Sequence, residues 1–219
     1  MSVAALAARL PDPATLERWC VSLAALDVIM YDQPDMRYHR FDPRWSDTER
    51  HASMSDGGGD EYSIIFSPEG TYVRGFDHES ALSPWTNEPP SVFPGLTDDV
   101  PATLRRHVDE PAFIISDVPS ISVCLWRERH ATEWSFGVAT SDVEPDTDGG
   151  ATELFSTLNG DPTTYAEFAT DYYEVELSID AVEHVMQGRP LDAAVIRALN
   201  PEADVDTVLA EARDLGYPA

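Results

Sequence analysis

Residues 56 to 85 read DGGGDEYSIIFSPEGTYVRGFDHESALSPW, two apolar-alternating runs around a Pro-Glu-Gly turn that point to an antiparallel sheet. Tyr62, Ile64 and Phe66 alternate with Ser63, Ile65 and Ser67, the period of a strand with one face turned to a core. Tyr72 to Phe76 supplies a second run. Between them lies Ser67-Pro68-Glu69-Gly70, in which Pro68 presets φ for a type I turn and Gly70 tolerates a positive φ where the chain rejoins the ladder. Alternation and turn chemistry agree, so residues 61 to 67 and 71 to 76 are expected to form an antiparallel hairpin.

Upstream, Ser2 can cap a short Ala-rich helix, and Asp12-Pro13 is a stronger start signal, a capping carboxylate before a proline suited to the first helical position. A helix from Pro13 to about Met30 follows. It is apolar on most sides, so it is expected to pack across the sheet with Trp19 and Leu23 inward. Residues 31 to 60 read as irregular, apart from a short edge strand at Tyr38 to Phe41, and Gly57-Gly58-Gly59 reads as a flexible approach to the hairpin. Downstream, Pro84, Pro89, Pro90 and Pro94 impose a long loop, and Asp98, Asp99 and Pro101 open a short helix through Leu104 and Val108. A second hairpin is expected from Ile121 to Trp126 and Trp134 to Val138.

From Asp161-Pro162 the pattern turns helical. Tyr165, Phe168, Ala169 and Tyr172 share one face, and further helices run over Ile179 to Met186, Leu191 to Leu199 and Val205 to Leu215, with Gly188 and Gly216 as stops. Strands first and helices last predict an α+β fold: one domain over residues 1–219, with an antiparallel sheet built from β-hairpins, a long N-terminal helix and a C-terminal cluster of short helices. The βαβ alternation of a nucleotide-binding sheet is absent.

Fourteen basic residues stand against forty acidic ones, a formal net charge of -26, and every basic residue is Arg. Without lysine there is no Schiff-base chemistry, no ordinary P-loop and no ordinary kinase site. The negative field disfavours nucleic acids and anionic membranes, and no apolar run reaches the roughly 20 residues of a bilayer span. The same field attracts a basic protein partner. Cys20 and Cys124 lie in apolar runs without metal or redox spacing, which predicts reduced, buried thiols in a cytoplasmic protein, and no signal-peptide pattern opens the chain.

The densest ionisable cluster is Asp60, Glu61, Asp77, His78 and Glu79, gathered if Glu61 and Phe76 meet at the open end of the hairpin. Such a group can act as acid and base or hold a hard cation. It can equally accept backbone N–H bonds and pair with Arg74. Asp77, His78 and Glu79 are expected to be held by hydrogen bonds, without metal or cofactor. Glu144, Asp146, Asp148 and Gly149 begin like a calcium loop, yet its twelfth position is Phe155. No serine or cysteine lies in a nucleophile motif. Among the aromatics, Trp45, Trp85 and Phe93 sit in loops, where exposure would make them partner-binding anchors.

The run GDEYSIIFSPEGTYVRGFDHES, the later TYAEFATDYYE and the ending from LNP to LGYP resemble a family of uncharacterised, mostly actinobacterial cytosolic proteins, over nearly the whole chain. The resemblance implies a bacterial, GC-rich origin and brings no established activity. The expected function is a non-enzymatic acidic interaction module that binds a basic partner in the manner of an immunity protein or antitoxin. The alternative is a small hydrolase or metal-dependent enzyme working at the Asp60, Glu61, Asp77, His78, Glu79 corner.

Overall fold

A computed structural model describes residues 2–140 and 147–219, and it has an α+β architecture. Six strands form one antiparallel sheet: β1 (His39–Asp42), β2 (Arg50–Ser55), β3 (Glu61–Ser67), β4 (Gly70–Phe76), β7 (Val123–Glu128) and β8 (Ser135–Phe136), side by side in that order. β5 (Ile114–Ile115) and β6 (Val118–Pro119) make a separate small ribbon. The hairpin of β3 and β4 lies at the centre with Glu61 opposite Phe76 and Ser67 opposite Gly70, as the alternation predicts. Gly70 is required there for a second reason: a Cβ on it would stand 2.4 Å from the Arg127 carbonyl of β7.

β2 was not expected. Its sequence, RHASMS, lacks the apolar alternation of β3, but it pairs with β3 over its whole length and with β1 from His51 to Met54, and Ala52 and Met54 face the core. The triglycine segment after it is therefore no flexible approach. It is a hairpin connection organised by Asp56, whose Oδ1 accepts the N–H groups of Gly58, Gly59 and Asp60 at 2.7, 3.0 and 3.0 Å.

Helix α1 (Val3–Arg9) is capped by Ser2, and α2 (Pro13–Met30) by Asp12, whose Oδ1 accepts from the N–H groups of Ala14 and Thr15 at 3.1 Å. The 18-residue α2 is thus the second element and not the N-terminal one. One side of it packs on β1 and β2. Another side meets α5 (Ile179–Met186), α6 (Ala193–Leu199) and α7 (Val205–Asp214). This explains an apolar surface that runs nearly all the way round: Leu16, Leu23 and Leu26 are wholly buried. Trp19 departs from expectation. It is half-buried and lies against Gly160, where a Cβ would approach its ring to 2.4 Å.

The sheet is covered on both faces. Tyr62, Ile64, Phe66, Val73 and Leu125 face the helices, while Tyr72, Cys124 and Trp126 face Val100, Leu104, Val108 and Ile121 from the long connection between β4 and β7. The expected helix from Asp98 to Val108 is only a 3-10 turn at Arg105–His107. Asp98 turns back to accept from Gly95 N at 2.9 Å instead of capping a helix, and so short a segment gains more from docking Leu104 and Val108 than from helical propagation. Cys20 and Cys124 are buried and free.

Candidate functional site

The open end of the central hairpin carries the expected ionisable corner. Asp60 Oδ1 lies 2.7 Å from His78 Nδ1 and accepts from His78 N at 3.0 Å. Asp77 Oδ1 accepts from Glu79 N and Ser80 N at 2.9 and 3.0 Å, and its own N–H reaches Ser122 Oγ. The hydrogen bond from Asp60 holds His78 above its ordinary value. Partial burial holds Asp77 above its own, with Asp60 adding to that effect. Glu61 makes the pairing with Arg74, at 2.6 Å, and Glu79 forms no ion pair among the described residues. Asp60, Asp77 and His78 each offer one ligand atom within 4.8 Å of the others, so a divalent cation could find three donors here.

Arg74 is 1% exposed. It donates to Ser120 O at 2.7 Å as well as to Glu61, and its guanidinium lies 4.2 Å above the Phe113 ring. This arginine fastens the connection between β4 and β7 to the sheet.

The loop aromatics separate. Phe93 is buried with Leu82 and Leu96 and is not an exposed loop aromatic. Trp45 is half-buried over His51 at 4.3 Å, and Trp85 is 36% exposed with its edge against Phe76. The aromatic face of α4 (Pro162–Tyr172) also divides, with Tyr165 wholly buried and Tyr172 39% exposed. Of the calcium-loop residues, Glu144 and Asp146 lie outside the described residues. Asp148 is engaged at the start of α3 (Ala151–Leu154), where it accepts from Gly150 N and Thr152 N at 3.0 Å.

Beside the Asp60 corner the chain forms a cleft of about 400 Å³ that sequence reasoning did not find. Tyr38, Met54, Asp56 and Asp60 line it from the sheet, Glu153 and Thr157 from α3 and the turn after it, and Glu167, Phe168 and Asp171 from α4. The turn reaches this position because β4 has Gly75 beneath it: a Cβ there would stand 2.8 Å from Leu154 Cδ1. Phe155 then stacks on Tyr62 at 5.2 Å. Among the described residues, five carboxylates line the cleft and no basic side chain does. Their field is felt by Tyr38, which burial and then Asp56 push up to about 12.

Glu167 and Asp171 are placed against local helix preference. They stand four apart on α4, where like charges repel by about 0.2–0.5 kcal/mol, and Asp171 sits in a last turn that has no basic residue and favours a cation. Violations of local rules of this kind concentrate where a surface serves a ligand.

Comparison of the chain with protein-family models, with curated proteins and with solved structures finds no match.

Proposed function

We propose that this is a cytosolic, acidic interaction protein whose cleft receives a basic segment of a protein partner. The carrying observation is the set of five carboxylates, Asp56, Asp60, Glu153, Glu167 and Asp171, around one opening with no basic lining residue. The net charge of -26 supports fast, salt-sensitive capture of such a partner, and the two free, buried thiols accord with a reducing compartment.

The test is titration of a fluorescent arginine-rich peptide into the protein at low and high salt. Affinity is expected to fall as salt rises. Glu167→Gln with Asp171→Asn should weaken binding by roughly two- to thirtyfold, since each exposed charge pair contributes about 0.2–1 kcal/mol. The same number of neutralisations at Asp206 and Asp214, on α7 outside the cleft, should have a smaller effect. Equal weakening by both double variants would mean that only the overall charge matters and would end the assignment to the cleft.

A further inference from the structure

Behind the cleft wall lies a chain of buried polar groups drawn from four separate segments. Asp27, on α2, is wholly buried. Its Oδ1 accepts from Tyr165 OH at 2.6 Å, and its Oδ2 accepts from His39 N at 2.6 Å and stands 3.2 Å from His39 Nδ1. On the other side of the imidazole, Nε2 is 2.9 Å from Thr157 Oγ1. His39 is 2% exposed and Thr157 4%, and Thr157 is the member that reaches the cleft lining.

The hydrogen-bond directions follow from chemistry. An ionised carboxylate only accepts, so the proton between Asp27 and His39 belongs to Nδ1. In the neutral imidazole Nε2 is then the acceptor, and the Thr157 hydroxyl is its donor. Asp27 has no arginine partner among the described residues; its donors are a tyrosine, a backbone amide and the imidazole. A wholly buried carboxylate is costly in this setting, and apolar packing would serve stability better, whereas a carboxylate is what fixes the tautomer of a general base. Both links fall within the 2.6 to 3.2 Å reach of functioning nucleophile and base pairs.

We propose that Asp27, His39 and Thr157 form a nucleophilic relay that hydrolyses an acyl ester or amide carrying a positive charge, the charge preference resting on the reading of the cleft given above. Thr157 Oγ1 bonds to the acyl carbon while its proton passes to His39 Nε2. Collapse of the tetrahedral adduct breaks the bond to the leaving alkoxide or amine, which takes that proton. Water, deprotonated by His39, then attacks the threonyl ester, releasing the carboxylic acid and restoring the hydroxyl. The amide of Thr157, itself a lining residue of the cleft, has no backbone acceptor among the described residues and is the donor offered to an oxyanion there. Asp27 acts through His39 and is a positioning residue, itself held by Tyr165.

The test uses the full chain and two activated esters: 4-nitrophenyl acetate, and the 4-nitrophenyl ester of a butanoic acid bearing a trimethylammonium group. Intact-mass measurement after acid quench is expected to show one acyl group per chain, mapped to Thr157, formed faster from the cationic ester. Thr157→Val, which keeps the shape, should abolish the adduct, and His39→Gln should slow its formation by about 100-fold or more. Should His39→Gln fail to fold, Thr157→Cys gives an independent readout. Its thiol, beside the imidazole, should be alkylated by iodoacetamide with a midpoint below the ordinary thiol range, while the buried Cys20 and Cys124 stay unlabelled.

No adduct with either ester, or an adduct that persists in Thr157→Val, would overturn the relay and leave the network a purely structural one. An ordinary thiol profile for Thr157→Cys would do the same. An adduct at Thr157 formed equally fast from both esters would support the relay and overturn the cationic preference. Loss of both adducts with peptide binding intact would sink the relay alone.

Discussion

His51 supplies a pH dependence whose size can be worked from the structure. It lies on β2, 8% exposed, with its ring against Trp45 at 4.3 Å and Phe113 at 5.8 Å, and its Nε2 has no hydrogen-bond partner among the described residues. Burial first, and then the nearby charge of Arg74, lower its pKa from the ordinary 6.5 to about 4. The fold therefore favours the neutral ring. As pH falls below 6.5 the unfolded chain takes up a proton that the folded chain refuses until about pH 4, so stability is complete above the unfolded value and is lost across that window. At 1.36 kcal/mol per unit, the loss assigned to this one residue is about 3 kcal/mol. Urea unfolding of the wild type and of His51→Phe, measured from neutral pH down to about 4, isolates it. Phenylalanine keeps the stack and carries no proton, while contributions from the carboxylates and from the buried His107 cancel in the comparison. The wild type should lose about 3 kcal/mol more than the variant over this range. Parallel curves would show that His51 titrates normally and would refute the argument.

Leu23→Ala opens a cavity between α2 and the sheet at a side chain with 0% exposure, so a loss of about 2 to 5 kcal/mol is expected in chemical denaturation; a loss under about 0.5 kcal/mol would place this residue outside the core. Asp77→Ala removes the acceptor for the N–H groups of Glu79 and Ser80 and should cost about 1 kcal/mol, much as losing a helix cap does. At the same corner, Mn2+ or Zn2+ should leave the melting temperature nearly unchanged, because the donor atoms of Asp60, Asp77 and His78 already serve the hydrogen bonds that shape the turn. A stoichiometric metal, lost in a folded His78→Ala variant, would instead establish a cation site there.

Elements whose signals are local were legible in the amino-acid order. The hairpin of β3 and β4 follows from alternation around Pro68 and Gly70, and α2 begins at Pro13 because Asp12 and Pro13 meet capping geometry within four residues. Asp60 and His78 were also legible together, because the hairpin register alone brings Glu61 opposite Phe76 and so sets the residues just beyond them side by side. β2 was illegible for the converse reason: RHASMS owes its strand conformation to partners on both sides and carries little pattern of its own.

The cleft and the relay were decided by tertiary structure alone. In sequence Asp27 is merely a polar interruption of an apolar helix, and Thr157 lies in a short turn of no distinctive composition. His39 is 12 residues from Asp27, Thr157 is 118 from His39, and Tyr165 is 138 from Asp27, with no periodicity linking them. They meet because α2 packs across β1, Gly75 leaves room for the turn after α3, and α4 closes over both. Periodicity reports which face of a single element is buried; it carries no information on which buried polar groups from different elements will satisfy one another.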